Sequence, residues 1–170
     1  MKRPDRGPLA WAAAWTAAAV LLAVSGWIYA GTRGDGALRY GKARDAVLAA
    51  GQREIARLNT VDGGHVDRDL DGWLDATTGP LHEQLSRSHT ADAGSLLASG
   101  TSTSGSVTDA AVTELDTRAG TARVIATVQV RVTPAAGTAT TDRKRFEATL
   151  SRTGGAWKLT ALTAVPVGTS

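Results

Sequence analysis

The stretch from Leu9 to Tyr29 carries no charged side chain, and this one feature decides most of what the chain can be. Wound as an α-helix at about 1.5 Å per residue, the run is about 31 Å long, close to the roughly 30 Å hydrocarbon thickness of a bilayer. Trp11 and Trp15 stand near one end and Trp27 and Tyr29 near the other, where amphipathic rings settle into the two membrane interfaces. Ahead of the run, Lys2, Arg3 and Arg6 oppose only Asp5, a bias that holds the N-terminus in the cytoplasm and exports the chain beyond Tyr29. A cleaved signal peptide shares the basic start, but its apolar region spans only about 7 to 15 residues and its cleavage site wants small residues. Here Ile28-Tyr29-Ala30 offers the bulky Ile28 instead. The expectation is a single-pass cell-membrane protein with a cytoplasmic tail over 1–8, a transmembrane helix over 9–30 and an extracytoplasmic remainder.

That remainder, about 135 residues, is enough for one domain with its own core. The formal charge of +3 sits mostly ahead of it, since Lys2, Arg3, Arg6 and Arg33 against Asp5 and Asp35 contribute +2. A nearly neutral domain lacks the concentrated basic stripe of a nucleic-acid binder, and Arg143-Lys144-Arg145 alternates through a strand. No nucleic acid is expected as a partner. With no cysteine in the chain, disulfides, thiolate catalysis and cysteine metal sites are excluded.

Three glycines within Gly31 to Gly36 predict a hinge over 31–36, and the domain then occupies 37–170. Tyr40, Ala43, Val47, Ala50, Ile55 and Leu58 recur at helical spacing, which predicts an amphipathic helix from Ala37 to Asn59. Leu70, Trp73, Leu74 and Thr77 mark a shorter helix with Gly79 as its left-handed C-cap. Pro80 opens a third helix, with Leu81 and Leu85 on its buried side, that reaches Ala98 and is open to a break at Gly94. Ser99 to Ser106 reads as a polar linker.

Beyond Ser106 the period changes to two. A first strand, Val107 to Leu115, is predicted with a bulge between Ala111 and Val112. A second, Thr121 to Val132, turns Ala122, Val124, Ala126, Val128, Val130 and Val132 to one face. Arg143 to Leu150 comes next, and Gly154-Gly155 turns the chain into Ala156 to Thr163, with Trp157, Leu159 and Ala161 on the buried side. Helices first and strands after predict an α+β fold: a single N-terminal transmembrane helix, then about three helices packed on one face of a curved, four-stranded antiparallel sheet.

Several segments, in this order, carry a family likeness. The anchor is succeeded by an Ala-rich helix ending Leu58-Asn59-Thr60-Val61-Asp62, and then by Leu70-Asp71-Gly72-Trp73-Leu74-Asp75-Ala76-Thr77-Thr78-Gly79-Pro80-Leu81. Gly105-Ser106-Val107 and the Val-rich strand come next. The chain ends on Arg152-Thr153-Gly154-Gly155-Ala156-Trp157-Lys158-Leu159 and Val165-Pro166-Val167. In these segments the chain resembles the Mce-associated membrane proteins of actinobacteria, partners of mammalian-cell-entry lipid importers. The resemblance implies a cone similar to nuclear transport factor 2, a fold shared with the periplasmic domains of some type IV secretion proteins. It also implies a non-enzymatic accessory or adapter supporting a lipid or sterol import complex. Its partners would be the membrane and other envelope transport-complex proteins, with a lipid as candidate ligand. A secretion-apparatus component, or a ligand-binding or catalytic cone of the isomerase and cyclase kind, are the alternatives.

Few residues point to chemistry. Asp67-Arg68-Asp69-Leu70-Asp71-Gly72 matches the start of an EF-hand loop, but Thr78 stands where the bidentate Glu belongs, and the same carboxylates suit the first turn of a helix. His65, His82 and His89 are too far apart for a local metal motif, and His82 is expected on the exposed side of its helix. An isomerase needs a carboxylate base in an apolar pocket plus an oxyanion donor. Tyr40 is the domain's one tyrosine and lies on its first helix, while Glu114 and Glu147 read as solvent-facing strand positions. Thr101 to Ser106 has no His or Asp at a readable distance to activate a hydroxyl. No catalytic, cofactor-binding or metal residue is assigned, and no cofactor is expected. Trp73, Phe146 and Trp157 are the candidates to line a lipid-accommodating pocket, against the commoner role of such aromatics in a core.

Overall fold

The computed structural model describes residues 8–166, without the side chains of 8–19 and 27–35. The first helix, α1, runs Pro8–Leu58. Gly31 to Gly36, expected as a hinge, is helical throughout. A glycine costs a helix about 1 kcal/mol relative to alanine, yet it keeps the N–H that proline lacks, so the ladder of hydrogen bonds continues. Contacts divide the chain into two units between Lys42 and Ala43. In the first, Val20, Leu21, Leu22 and Val24 are 61%, 67%, 74% and 50% exposed. Among the described residues no helix is long and apolar enough to cross a membrane. Most of the span expected over 9–30, and all of the tail over 1–8, lies outside the residues whose side chains are described.

The second unit contains the end of α1, α2 (Val66–Ala76), α3 (Gly79–Ser99) and the strands β1 (Ser102–Asp116), β2 (Thr121–Thr133), β3 (Thr140–Thr153) and β4 (Ala156–Val165). The strands form one antiparallel sheet in the order β1-β2-β3-β4. The helix-then-strand order and the meander are as the sequence predicts. On α1, Val47, Ala50 and Ile55 are buried at the predicted spacing, with Gly51 buried beside them. They pack on Ala122, Val124, Ala126, Val128 and Val130 of β2, and Ala148, Leu150 and Leu159 complete the core. Gly51 lets the helix approach closely, because a Cβ there would stand 3.3 Å from a Val124 methyl. Glu54, also on this side of α1, is buried, with Arg53 Nε donating to its Oε1 at 2.8 Å.

The end of α1 is held by the segment next to it in the chain. Asn59 Nδ2 and Thr60 Oγ1 donate to the carbonyls of Ile55 and Ala56, and Trp73 Nε1 donates to those of Arg57 and Thr60. Orphan carbonyls at a helix C-terminus are thereby satisfied. Trp73 also packs with a small second core of Val61, Val66, Leu70 and Ala93.

Four expectations require correction. Gly79 does not cap α2, which ends at Thr77; there the chain turns extended, bridges Leu159 in parallel and donates Thr78 N–H to the Leu159 carbonyl. Gly79, at a φ of 59°, opens α3 instead, and α3 passes Gly94 without a break to end on left-handed Gly100. The linker expected over 99–106 is mostly strand, because Ser102 to Ser106 pair with the far half of β2 and Thr103 bridges Val61. Tertiary pairing overrides the polar composition. In β1 the register slips twice, between Val107 and Asp109 and between Val112 and Glu114, rather than between Ala111 and Val112. Ala161 is exposed, because an irregularity opposite Thr149 and Leu150 reverses the phase of β4 after Leu159.

Candidate functional site

One face of the sheet carries the core, and the other face of β2 and its neighbours carries the exposed residues. This outer face is ordered along the strands by register. At one end Arg123 lies between two carboxylates, 3.7 Å from Glu114 and 3.2 Å from Glu147, with Asp116 one position further on β1. At the other end Arg131, Arg143 and Arg145 are exposed on diagonally adjacent positions of β2 and β3. They make no ion pair among the described residues. Between the two ends, Ile125 is 47% and Val165 41% exposed. Asp109, Ala111, Ile125, Thr127, Arg145 and Val165 of this face border an open cavity of about 440 Å³ lined by strand residues alone. The cavity is floored by backbone and small side chains, with Asp109 and Arg145 flanking Thr127 in one row.

The three aromatic candidates do not line one pocket: Phe146 and Trp157 both pack half-buried against the main core, Trp73 packs on the second cluster, and of the three Phe146 alone borders this cavity. His82, expected on the exposed side of α3, is half-buried, its Nδ1 lying 3.0 Å from the Leu74 carbonyl oxygen. His65 Nδ1 lies 2.8 Å from Asp62 Oδ2, and His89 Nε2 lies 3.4 Å from Asp71 Oδ1. No group of three or more His, Asp or Glu able to hold a metal occurs among the described residues. Asp67 to Gly72, the EF-hand match, is helical, and Asp67 and Asp69 occupy the first turn of α2. A second cavity of about 450 Å³ lies between α1 and α2, bordered by Arg53, Arg57 and Arg68 with Asp69.

Among the described residues two carboxyls, both at turns, are held below the ordinary 3.8. At Asp62 the Gly64 N–H, donating at 2.9 Å, is the main cause and the His65 ring the next. At Asp116 the N–H groups of Ala119 and Arg118 hold the charge. Hydrogen bonds to a carboxylate favour its ionised form. Sequence reasoning assigned the outer face to solvent and missed its charge separation. The available signal was Ile125, the one large apolar residue among Thr121, Arg123, Thr127, Gln129 and Arg131.

The fold is similar to that of an IcmL-like type IV secretion system protein from Legionella pneumophila, with a TM-score of 0.60 and 10% identity over 75% of this chain and 95% of that one. The periplasmic domain of DotI gives 0.59 and 13%, over 72% of this chain and 95% of that one. CagV, a VirB8 homologue from Helicobacter pylori, gives 0.57 and 9%, over 73% and 99%. At such identities the likeness is one of fold, and it meets the expected similarity to periplasmic domains of secretion proteins. No curated protein matches the sequence. Over residues 7–166 the sequence matches the family described as "Uncharacterized protein Rv1363c/MT1408-like", and the chain belongs to that family.

Proposed function

We propose that this protein is a membrane-anchored, non-enzymatic adapter whose domain from Ala43 onward works outside the cytoplasm by docking other envelope proteins. The observation that carries the reading is the open outer face of the sheet, with exposed Ile125 and Val165 at its centre and uncompensated arginines at one end. Apolar side chains rimmed by charge mark surfaces that other proteins cover. The polar groups a catalyst would use are engaged structurally: His82 with the Leu74 carbonyl, and Glu114 and Glu147 with Arg123. The uncharged run from Leu9 to Tyr29 and the basic residues before it support the single-pass anchor.

The system it serves is an Mce-type lipid or sterol importer, on the resemblance of its segments. A secretion apparatus is the second reading, favoured by the fold it shares with the IcmL-like protein, CagV and DotI. The test is cross-linking of the tagged full chain in intact cells, with the captured proteins identified by mass spectrometry. Importer components support the first reading and secretion components the second. Capture of cytoplasmic proteins alone would overturn both, as would a reporter after Tyr29 found in the cytoplasm.

A further inference from the structure

We propose that the outer face of the sheet binds a second copy of this chain, about a two-fold axis that crosses the strands between the levels of Ile125 and Thr127. It rests on the same open face as the adapter reading and makes a second copy of the chain the envelope protein that covers it. The charges on the face are separated chiefly along the strand direction, although Asp109 lies across the sheet from Arg145 in the Thr127 row. Glu114, Asp116 and Glu147 against Arg123 and Lys158 make one end acidic, and Arg131, Arg143 and Arg145 against Asp109 make the other basic. A two-fold axis across the strands inverts that direction. It places the basic end of each copy over the acidic end of the other and the apolar centre over itself. In this arrangement Arg145, one level from the axis, meets Glu147 of the second copy, one level on the opposite side.

The other face-to-face two-fold, with its axis along the strands, sets Arg131, Arg143 and Arg145 against their own copies and is repelled. The separation therefore selects both the partner and the symmetry, since an isologous contact needs a self-complementary surface. Strands spaced about 4.8 Å, three of them over six paired levels about 6.7 Å apart and β4 over four, give roughly 700 Å² of face per copy. The total of about 1,400 Å² lies within the range of a specific interface. Charge at both ends makes the dimer salt-sensitive. Small and polar positions such as the exposed Ser104 and Ser106 and the half-buried Thr127 let two sheets approach to the usual spacing of about 10 Å.

The chain has no cysteine, so one introduced thiol reports on one place. Thr127→Cys in the full-length chain, treated in intact membranes with a bismaleimide of about 10 to 15 Å reach, should give a product of twice the chain mass. Ser86→Cys, on the exposed side of α3, should not. Arg145→Glu should reduce the Thr127→Cys product about tenfold or more, and Arg145→Glu with Glu147→Arg should restore most of it, because like charges across an interface suppress pairing. Circular dichroism of each variant confirms the fold. Absence of a doubled product, a product joined to a different protein, or indifference to Arg145→Glu would each overturn the proposal. A chain that captures envelope proteins yet gives no doubled product overturns this inference and leaves the adapter reading standing.

Discussion

At the scale of single residues, the tightest place in the domain is where β1 crosses the end of α1. A Cβ on Gly105 would stand 2.5 Å from Asn59 Cβ and 3.2 Å from the carbonyl oxygens of Ala56 and Asn59, while the Gly105 N–H donates to Thr60 Oγ1 at 3.0 Å. Backbone on both sides cannot yield, so Gly105→Ala should destabilise the domain by about 1–3 kcal/mol, read from thermal or urea unfolding. Gly94 provides the contrast. Nothing lies within 4 Å of a Cβ there, and it sits inside α3, so Gly94→Ala should raise stability by about 0.5–1 kcal/mol. Trp73 is a third case, where sequence suggested a pocket wall and the indole N–H instead ties two carbonyls at the end of α1. Trp73→Phe keeps the ring's packing and loses those bonds, at a cost of about 1 kcal/mol. An unfolding midpoint unchanged in Trp73→Phe would show that those carbonyls find water equally well.

At the scale of elements, the turns carry the pH dependence. Asp62 before α2 and Asp116 at the end of β1 both have carboxyls held below 3.8. A lowered folded pKa means that the unfolded chain takes up the proton first as the solution is acidified. The stability these groups contribute is therefore complete above about pH 4 and is lost as the pH falls through their folded values. Urea midpoints measured from about pH 6 to about pH 2 should fall only on the acid side, and Asp62→Asn with Asp116→Asn should flatten that fall. A midpoint unaffected by acid in the native chain would contradict the assignment. The long elements were legible because period and burial agree: β2 alternates over its whole length, and Val47, Ala50 and Ile55 mark the packed side of α1. The failures have a common cause in pairing distant in sequence. Ser102 to Ser106 become strand through Val61 and the far end of β2, α2 stops at Thr77 because Thr78 joins Leu159, and β4 changes phase at an irregularity opposite β3. The partners of Ser102 to Ser106 and of Thr78 lie outside the window from which a local pattern is read, and the β3–β4 irregularity, though near in sequence, is a matter of register that periodicity does not report.

At the scale of the whole molecule, the sequence carried the α+β architecture and the order of its strands, while the candidate site was legible only in part. Ile125 is an apolar residue in a polar row and Arg143-Lys144-Arg145 a run of charge, but neither by itself marks a site. That Arg131 joins Arg143 and Arg145, and that Arg123 is neutralised by Glu114 and Glu147, required the cross-strand register. The domain's proposed work is contact with other envelope proteins, and it predicts indifference to loss of any one titratable side chain away from the outer face. Affinity purification of the full-length chain from native membranes, beside a variant carrying His65→Gln, His82→Gln and His89→Gln, tests this most directly. The account predicts that the same envelope proteins with extracytoplasmic parts accompany both chains in the same proportion. A chain purified free of envelope proteins, from cells in which the histidine variant is folded but no longer functions, would contradict it.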